Sequence, residues 1–369
     1  MYEKTIVFDV DDTISTHIDR DYENAIPHLD VIEKINTMYD AGWRIIFHTA
    51  RGMHSLNGDL KKIEYERAPV LLTWLKKHGV KYHELHFGKP LSLVYVDDKA
   101  LRPSEFLSTT FETLSGGSGS SVDRFGSHVI KTGSNVPEQF KWYRNFYSLK
   151  RPLNLNVNIP LVVTHYDNVM CMEYVDGIEL NEVCKSEHVE KLVTLLKSFS
   201  KIKTEKFGWD TMVNRINEHV SLNNFSRREE IMKIIQSDEV KRYMESQDSF
   251  CHGDLTLENI IVSGEDMYLI DPNTPSNVYT SWLLDLGKLY QSMRFDYEGT
   301  FRNKSTSKID KPALLAYLNS HLTEEHQTYG ALCEIIHYVR MLKYKNDSER
   351  LLINENIEKL YDGVISKCF

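Results

Sequence analysis

Cysteine is scarce in this 369-residue chain, and none of the five (Cys171, Cys184, Cys251, Cys333, Cys368) stands in a CxxC pair. That spacing suggests neither a zinc site nor a disulfide framework, and free thiols in a reducing cytosol are the simplest expectation. No apolar run approaches the 18 residues of a membrane span, and the N-terminus runs straight into a short strand pattern, so neither secretion nor membrane spanning is expected. Positive charge is also in deficit. With 44 Lys and Arg against 53 Asp and Glu the net charge is −9, which argues against an extended surface for a polyanion such as nucleic acid. What remains, 41% hydrophobic and 26% charged residues, is ordinary globular composition at a length that suits two domains.

The chain changes texture near residue 109. Up to about residue 108, short apolar strands (Thr5–Phe8, Arg44–His48, Leu93–Val96) alternate with amphipathic helices near Leu29–Ala41 and Tyr65–His78, the rhythm of a parallel sheet with crossover helices. Gly52–Lys62 reads as a flap. Beyond it come Ser115-Gly116-Gly117-Ser118-Gly119-Ser120-Ser121 and strand-like segments at Ser127–Lys131, Leu161–Thr164 and Val169–Tyr174. Helical patterns then dominate, at His188–Lys203, Arg228–Ile235 and from Tyr329 onward. The expected plan is an α/β Rossmann-like domain over 1–108 and an α+β bilobal domain over 109–369. The second divides into a sheet lobe at about 109–175 and a helical lobe at about 176–369.

Acidic residues gather just past the expected strand ends, where open α/β sheets place their ligands. Asp9 is a candidate nucleophile able to form an aspartyl-phosphate, and Asp11, two residues on, a candidate acid and then base for the water that cleaves it. A phosphate dianion approaching carboxylates calls for a hard cation, which makes Mg²⁺ the expected cofactor. Asp9, the Val10 carbonyl, Asp11, Asp97 and Asp98 are its candidate ligands and supports. Thr49 can hydrogen-bond a phosphoryl oxygen and Lys89 can neutralise developing charge. In order, Asp9-x-Asp11-x-Thr13, Thr49, Lys89 and Asp97-Asp98 resemble the four motifs of the haloacid dehalogenase (HAD) superfamily. The resemblance implies a magnesium-dependent phosphohydrolase over roughly residues 1–108.

A second constellation lies downstream. Asp254 stands five residues before Asn259, matching a catalytic loop in which the aspartate accepts a substrate hydroxyl proton and the asparagine binds metal. Asp271, ending the apolar run Met267–Ile270, is a second candidate metal ligand. Lys131 ends a Val-Ile-Lys strand. The segment His252-Gly253-Asp254 resembles the aminoglycoside phosphotransferase and choline kinase family, over about residues 110–330. That resemblance implies ATP or GTP as phosphoryl donor, held by Gly117 and Gly119, Lys131 and the hinge around Glu173 and Val175. Glu138, the only acid between Lys131 and His165, is the expected partner of Lys131. Asp285 resembles the family's later structural aspartate, and His252 is expected to brace the loop. Two features stay open: Ser115–Ser121 reads either as a nucleotide loop or as a Gly/Ser linker, and Asp271-Pro272-Asn273 stands where protein kinases carry Asp-Phe-Gly.

Together the two halves imply a bifunctional cytoplasmic enzyme that removes phosphate from a small phosphorylated metabolite and adds it to a small hydroxyl-bearing acceptor. Fusions of this kind suit bacterial or phage pathways that make precursors of surface polysaccharide such as capsule. One alternative is a regulatory or scaffold protein with one dead domain. Another is a nucleic-acid end-processing phosphatase/kinase, disfavoured because no GxxxxGK[ST] occurs.

Overall fold

A computed structural model of the chain describes residues 4–17, 20–92, 99–114, 120–204, 207–220, 224–275, 278–306 and 308–369. They form two compact units, Met1–Val136 with Val162–Tyr174, and Pro137–Leu161 with Val175–Phe369. The expected strand Leu93–Val96, the acids Asp97 and Asp98, and the glycines Gly117 and Gly119 lie outside the described residues.

The first unit contains two larger sheets besides the short antiparallel pair Ser15–Thr16 and Ile26–Pro27. Strands Thr5–Phe8, Arg44–Thr49 and Glu84–Phe87 pair in parallel in that order, joined by helices Leu29–Asp40 and Leu60–Lys77. The second helix begins five residues before the sequence pattern predicts, because Asp59 caps it by accepting the Lys62 amide N–H. The end of the expected flap at Gly52–Lys62 is therefore helical, while Arg51–Gly58 forms turns. Each helix buries an apolar stripe, Val31, Ile32, Ile35 and Met38 on one and Ile63, Leu71, Trp74 and Leu75 on the other. A fully buried aromatic or aliphatic side chain contributes about 1.5–3 kcal/mol.

The other sheet is antiparallel, with Phe111–Leu114, Ser121–Phe125, His128–Thr132, Val169–Glu173 and Val162–Tyr166 in spatial order. Phe111, Phe125 and Ile130 pack against the core that holds Phe8, Trp43 and Phe106. Below them Lys4 Nζ meets Asp123 Oδ2 at 2.5 Å with both side chains buried, and Asp123 Oδ1 accepts from Thr113 Oγ1. This continuous core is why the first unit runs through residue 109 instead of ending there.

The second unit opens with most of helix Val136–Lys150 and is otherwise built mainly of helices. Helices Trp282–Arg294 and Glu324–Met341 are buried along most of their length, as the central pair of a helical core must be. A Cβ at Gly287 would stand 2.8 Å from the Cys333 backbone, so glycine sets their approach. A small antiparallel sheet of Ile178–Glu179, Ile260–Ser263 and Asp266–Leu269 completes the unit. Its hairpin carries the chain from Asn259 back to Asp271, and the Ile270 N–H donates to the Asn259 carbonyl at 3.0 Å.

Candidate active sites

At the end of strand Thr5–Phe8 the chain turns tightly on itself. The amides of Thr13, Ile14 and Ser15 all donate to the Val10 carbonyl, at 3.3, 3.0 and 3.2 Å. The Val10 carbonyl, a candidate metal ligand in the sequence, thus accepts three amides within the turn. Asp9 Oδ1 accepts the Val10 N–H at 2.7 Å, and Asp9 Oδ2 receives Lys89 Nζ at 2.6 Å. Lys89 is brought there by its own backbone, whose N–H donates to the Thr49 carbonyl at 3.2 Å. Thr49 is buried, and its Oγ1 accepts the Arg51 N–H at 3.1 Å. Asp9, Thr49 and Lys89, separated by up to 80 residues in sequence, are thus linked in one network.

Asp11 has a partner that the sequence reading did not single out. Arg51 holds it with Nε at 3.0 and 3.1 Å from the two carboxylate oxygens and Nη2 at 2.8 Å from Oδ1. The guanidinium is buried, lies 4.6 Å from the centre of the Tyr22 ring, and reaches Ser15 Oγ at 3.3 Å. His17 Nε2 stands 4.0 Å from Asp11. The signal was present in Thr49-Ala50-Arg51, where the next side chain but one after Thr49 carries a fork suited to a carboxylate. Nearby His48 is held below the usual imidazole range by burial and by the Lys89 charge.

In the second unit the loop after Phe250 is fixed from behind. Asp285, fully buried on helix Trp282–Arg294, accepts the His252 and Gly253 amides at 2.7 Å each. Burial pushes its carboxyl up to about 7, and those two amides pull against the rise. Asp285, on the next helix, therefore braces the loop. Buried His252 is pushed down to about 4 by burial, against the pull of Asp254 and Asp271, so its ring is neutral at pH 7. It packs edge-on to Trp142, whose indole N–H donates to the Cys251 carbonyl at 2.7 Å. Gly253 has φ +81°, and a Cβ there would fall 2.1 Å from the Asn273 carbonyl oxygen. No other residue fits that turn.

Asp254 is gripped on two sides. Lys288 Nζ lies 3.2 Å from Oδ1, while the Asn259 amide donates to Oδ2 at 3.1 Å and to the Asp254 carbonyl at 2.9 Å. Burial would raise its carboxyl, but Lys288 and its other neighbours outweigh that and hold it below the usual range. The carboxylate is thus the acceptor-only form that a base requires. Lys288 was also missed in the sequence; it lies three residues after Asp285, on the same helical face.

Asp271 adopts φ +60°, a left-handed conformation uncommon for a residue other than glycine or asparagine and typical of functional turns. Its Oδ1 accepts from Gln139 Nε2 at 2.8 Å, and Gln139 also donates to the Pro272 carbonyl at 3.0 Å. Helix Val136–Lys150 thus directs buried Gln139 at Asp271, whereas Glu138, the residue singled out from the sequence, is only half-buried. Lys131, buried at 5% exposure, pairs with Met170 and Val122 in the antiparallel sheet of the first unit, and Glu138 belongs to the second. Glu173 ends the last strand of that sheet, and Val175 opens the following segment of the second unit.

Both sites offer hard oxygen donors, Asp9 and Asp11 in one, Asn259 and Asp271 in the other, a chemistry suited to Mg²⁺. Among the described residues no three His, Cys, Asp or Glu side chains are grouped closely enough to hold a metal by themselves. None of the described helices is long and apolar enough to cross a membrane.

No family model and no curated protein matches the chain. Among solved structures it is similar to a structural-genomics target from Vibrio cholerae, at 39% identity over 29% of this chain and 89% of that one, with a TM-score of 0.29. It is also similar to the choline kinase LicA from Streptococcus pneumoniae, at 15% identity over 70% of this chain and 94% of that one, TM-score 0.46. An ADP-bound aminoglycoside phosphotransferase is similar at 17% identity over 68% of this chain and 91% of that one, TM-score 0.40.

Proposed function

We propose that the chain is a bifunctional small-molecule phosphatase and ATP-dependent kinase, the phosphatase in the N-terminal half and the phosphotransferase in the C-terminal half. One feature common to both halves carries this reading: each has an aspartate suited to attack or proton abstraction within hydrogen-bond distance of a lysine, Asp9 with Lys89 at 2.6 Å and Asp254 with Lys288 at 3.2 Å.

In the N-terminal half Asp9 Oδ attacks the phosphorus, the ester oxygen departs with a proton from Asp11, and an aspartyl-phosphate remains. Asp11 then takes a proton from water as that water attacks phosphorus and releases phosphate and free Asp9. Lys89 and Thr49 stabilise the phosphoryl oxygens, and Arg51 holds Asp11 in place. In the C-terminal half Asp254 accepts the proton of an acceptor hydroxyl as that oxygen attacks the γ-phosphorus of ATP, the bond from that phosphorus to the β–γ bridging oxygen breaks and ADP leaves. Lys288 keeps Asp254 ionised and Asp285 fixes the loop. Asn259 and Asp271 in the second site, and Asp9 with Asp97 and Asp98 in the first, would hold Mg²⁺, which offsets charge between carboxylates and phosphate when bound.

Hydrolysis of p-nitrophenyl phosphate in magnesium tests the first half, with Asp9→Asn expected to abolish it. ATP consumption against sugars, polyols and amino alcohols tests the second, with Asp254→Ala inactive. Unchanged rates in either variant would remove that half of the assignment.

A further inference from the structure

The catalytic loop of the second unit brings a base but no cation of its own. Between Asp254 and Asn259 stand Leu255, Thr256, Leu257 and Glu258. Phosphoryl transfer gathers negative charge on the oxygens of the group in flight, and a donor placed there in advance offsets it. The cations flanking Glu258 are already committed. Arg302 Nε lies 3.1 Å from Glu258 Oε1, and Lys304 Nζ lies 3.0 Å from Glu258 Oε2 and 2.7 Å from Glu179 Oε1.

Lys288 is placed differently. Its Nζ stands 3.2 Å from Asp254 Oδ1, whereas Oδ2 receives the Asn259 amide at 3.1 Å, so the two donors hold the carboxylate by different oxygens. An ammonium carries three N–H groups, and among the described residues Asp254 is the one carboxylate that Lys288 meets. The Tyr297 ring centre lies 5.6 Å from Nζ. Asp285, one turn earlier on the same helix, accepts the His252 and Gly253 amides at 2.7 Å, which ties the helix that carries the ammonium to the loop that carries the base. The side chain of Lys288 is 11% exposed and that of Asp254 30%, so both tips reach solvent side by side. A hydroxyl oxygen donating to Asp254 sits about 2.6–3.2 Å from it, and attack places phosphorus about 3–3.5 Å from that oxygen. Steps this short bring the phosphoryl oxygens within reach of a donor 3.2 Å from the base.

We propose that Lys288 is a catalytic residue of the C-terminal half, with one N–H on Asp254 and another donated to a non-bridging oxygen of the γ-phosphoryl group as it passes to the acceptor. This contact rests on the kinase reading and adds to it a group that touches the reacting phosphorus centre. A lone pair of the acceptor oxygen forms the new bond to the γ-phosphorus. The bond from that phosphorus to the β–γ bridging oxygen breaks, and its electron pair leaves with ADP. The acceptor proton passes to Asp254, and Lys288 gives up none: it supplies charge and direction.

The test is calorimetric titration of ADP in Mg²⁺ into full-length wild type, Lys288→Met and Lys288→Arg, each with and without aluminium fluoride. Aluminium fluoride beside ADP mimics the phosphoryl group in flight, and such mimics bind tighter than ground-state ligands. Water takes the acceptor's place, so the acceptor need not be known. Any fluoride complex in the N-terminal half forms before ADP is added and cancels. The expected result is that Lys288→Met binds ADP alone as wild type does but loses about 10- to 100-fold of the tightening that aluminium fluoride gives. Lys288→Arg keeps the charge and is expected to retain part of it, which separates a lost contact from a failure to fold. Equal tightening in wild type and Lys288→Met would overturn the proposal, as would an equal loss of ADP affinity with and without fluoride. So would a Lys288→Met effect that vanishes in an Asp254→Ala background, which makes the lysine act through the base alone. Wild type that binds no ADP removes the kinase reading and this contact with it.

Discussion

Arg51 and Lys288 do at the residue scale what the motifs around them leave undone: each fixes an aspartate whose position in sequence is legible but whose direction is not. Replacing Arg51 with Lys keeps a charge and loses the two-point grip on Asp11, so kcat for p-nitrophenyl phosphate is expected to fall about 10-fold or more with KM little changed. An unchanged kcat would make Arg51 merely structural. His252 gives a pH prediction with a definite sign. An unfolded histidine titrates near 6.5, and the folded one near 4. Between those values the unfolded chain takes up a proton that the folded chain refuses, so this residue destabilises the fold as pH falls from about 6.5 to about 4, by up to about 3 kcal/mol. His252→Phe, which keeps a ring against Trp142, should therefore lose less melting temperature than wild type over that window; parallel curves would contradict it. Asp9, Lys89, Asp254, Asn259 and Asp271 could be read in sequence because local spacing fixes them at strand and loop ends. Arg51, Lys288 and Gln139 could not, because their roles depend on which face of a turn or helix the fold presents.

At the scale of elements, the buried Lys4–Asp123 pair ties the first parallel strand's entry to Ser121–Phe125, the second strand of the antiparallel sheet. Lys4 also reaches the Ala41 carbonyl and Ser121 Oγ, each at 3.2 Å, so few of its donors are left unmet. Lys4→Met strands a buried carboxylate and is expected to cost about 3–5 kcal/mol, and adding Asp123→Leu should return most of it. Thermal or denaturant unfolding followed by tryptophan fluorescence reads this out, and a Lys4→Met protein as stable as wild type would show that the pair does not hold the two sheets. Strands Thr5–Phe8 and Arg44–Thr49 and helix Leu29–Asp40 were visible as apolar periodicity. Glu84–Phe87 was not, since Glu-Leu-His-Phe alternates too briefly, and it gains strand character from pairing with Ile46–Thr49. The start of helix Leu60–Lys77 was obscured by the glycines at 52 and 58, whose positive φ builds the turns that precede it.

For the whole molecule, the sequence divides by texture near residue 109, whereas the compact units divide by shared core. Trp43 stands 6.1 Å from Phe111 and 5.9 Å from Phe125, ring centre to ring centre. Only tertiary packing could reveal that the antiparallel sheet, read as part of the second domain, shares its core with the first. The central claim is that two independent chemistries occupy one chain, and it is tested most directly by measuring both activities in both variants of full-length protein. Asp9→Asn is expected to abolish p-nitrophenyl phosphate hydrolysis and leave acceptor-dependent ATP consumption intact, while Asp254→Ala does the reverse. Loss of both activities in either variant, or of neither, would contradict it.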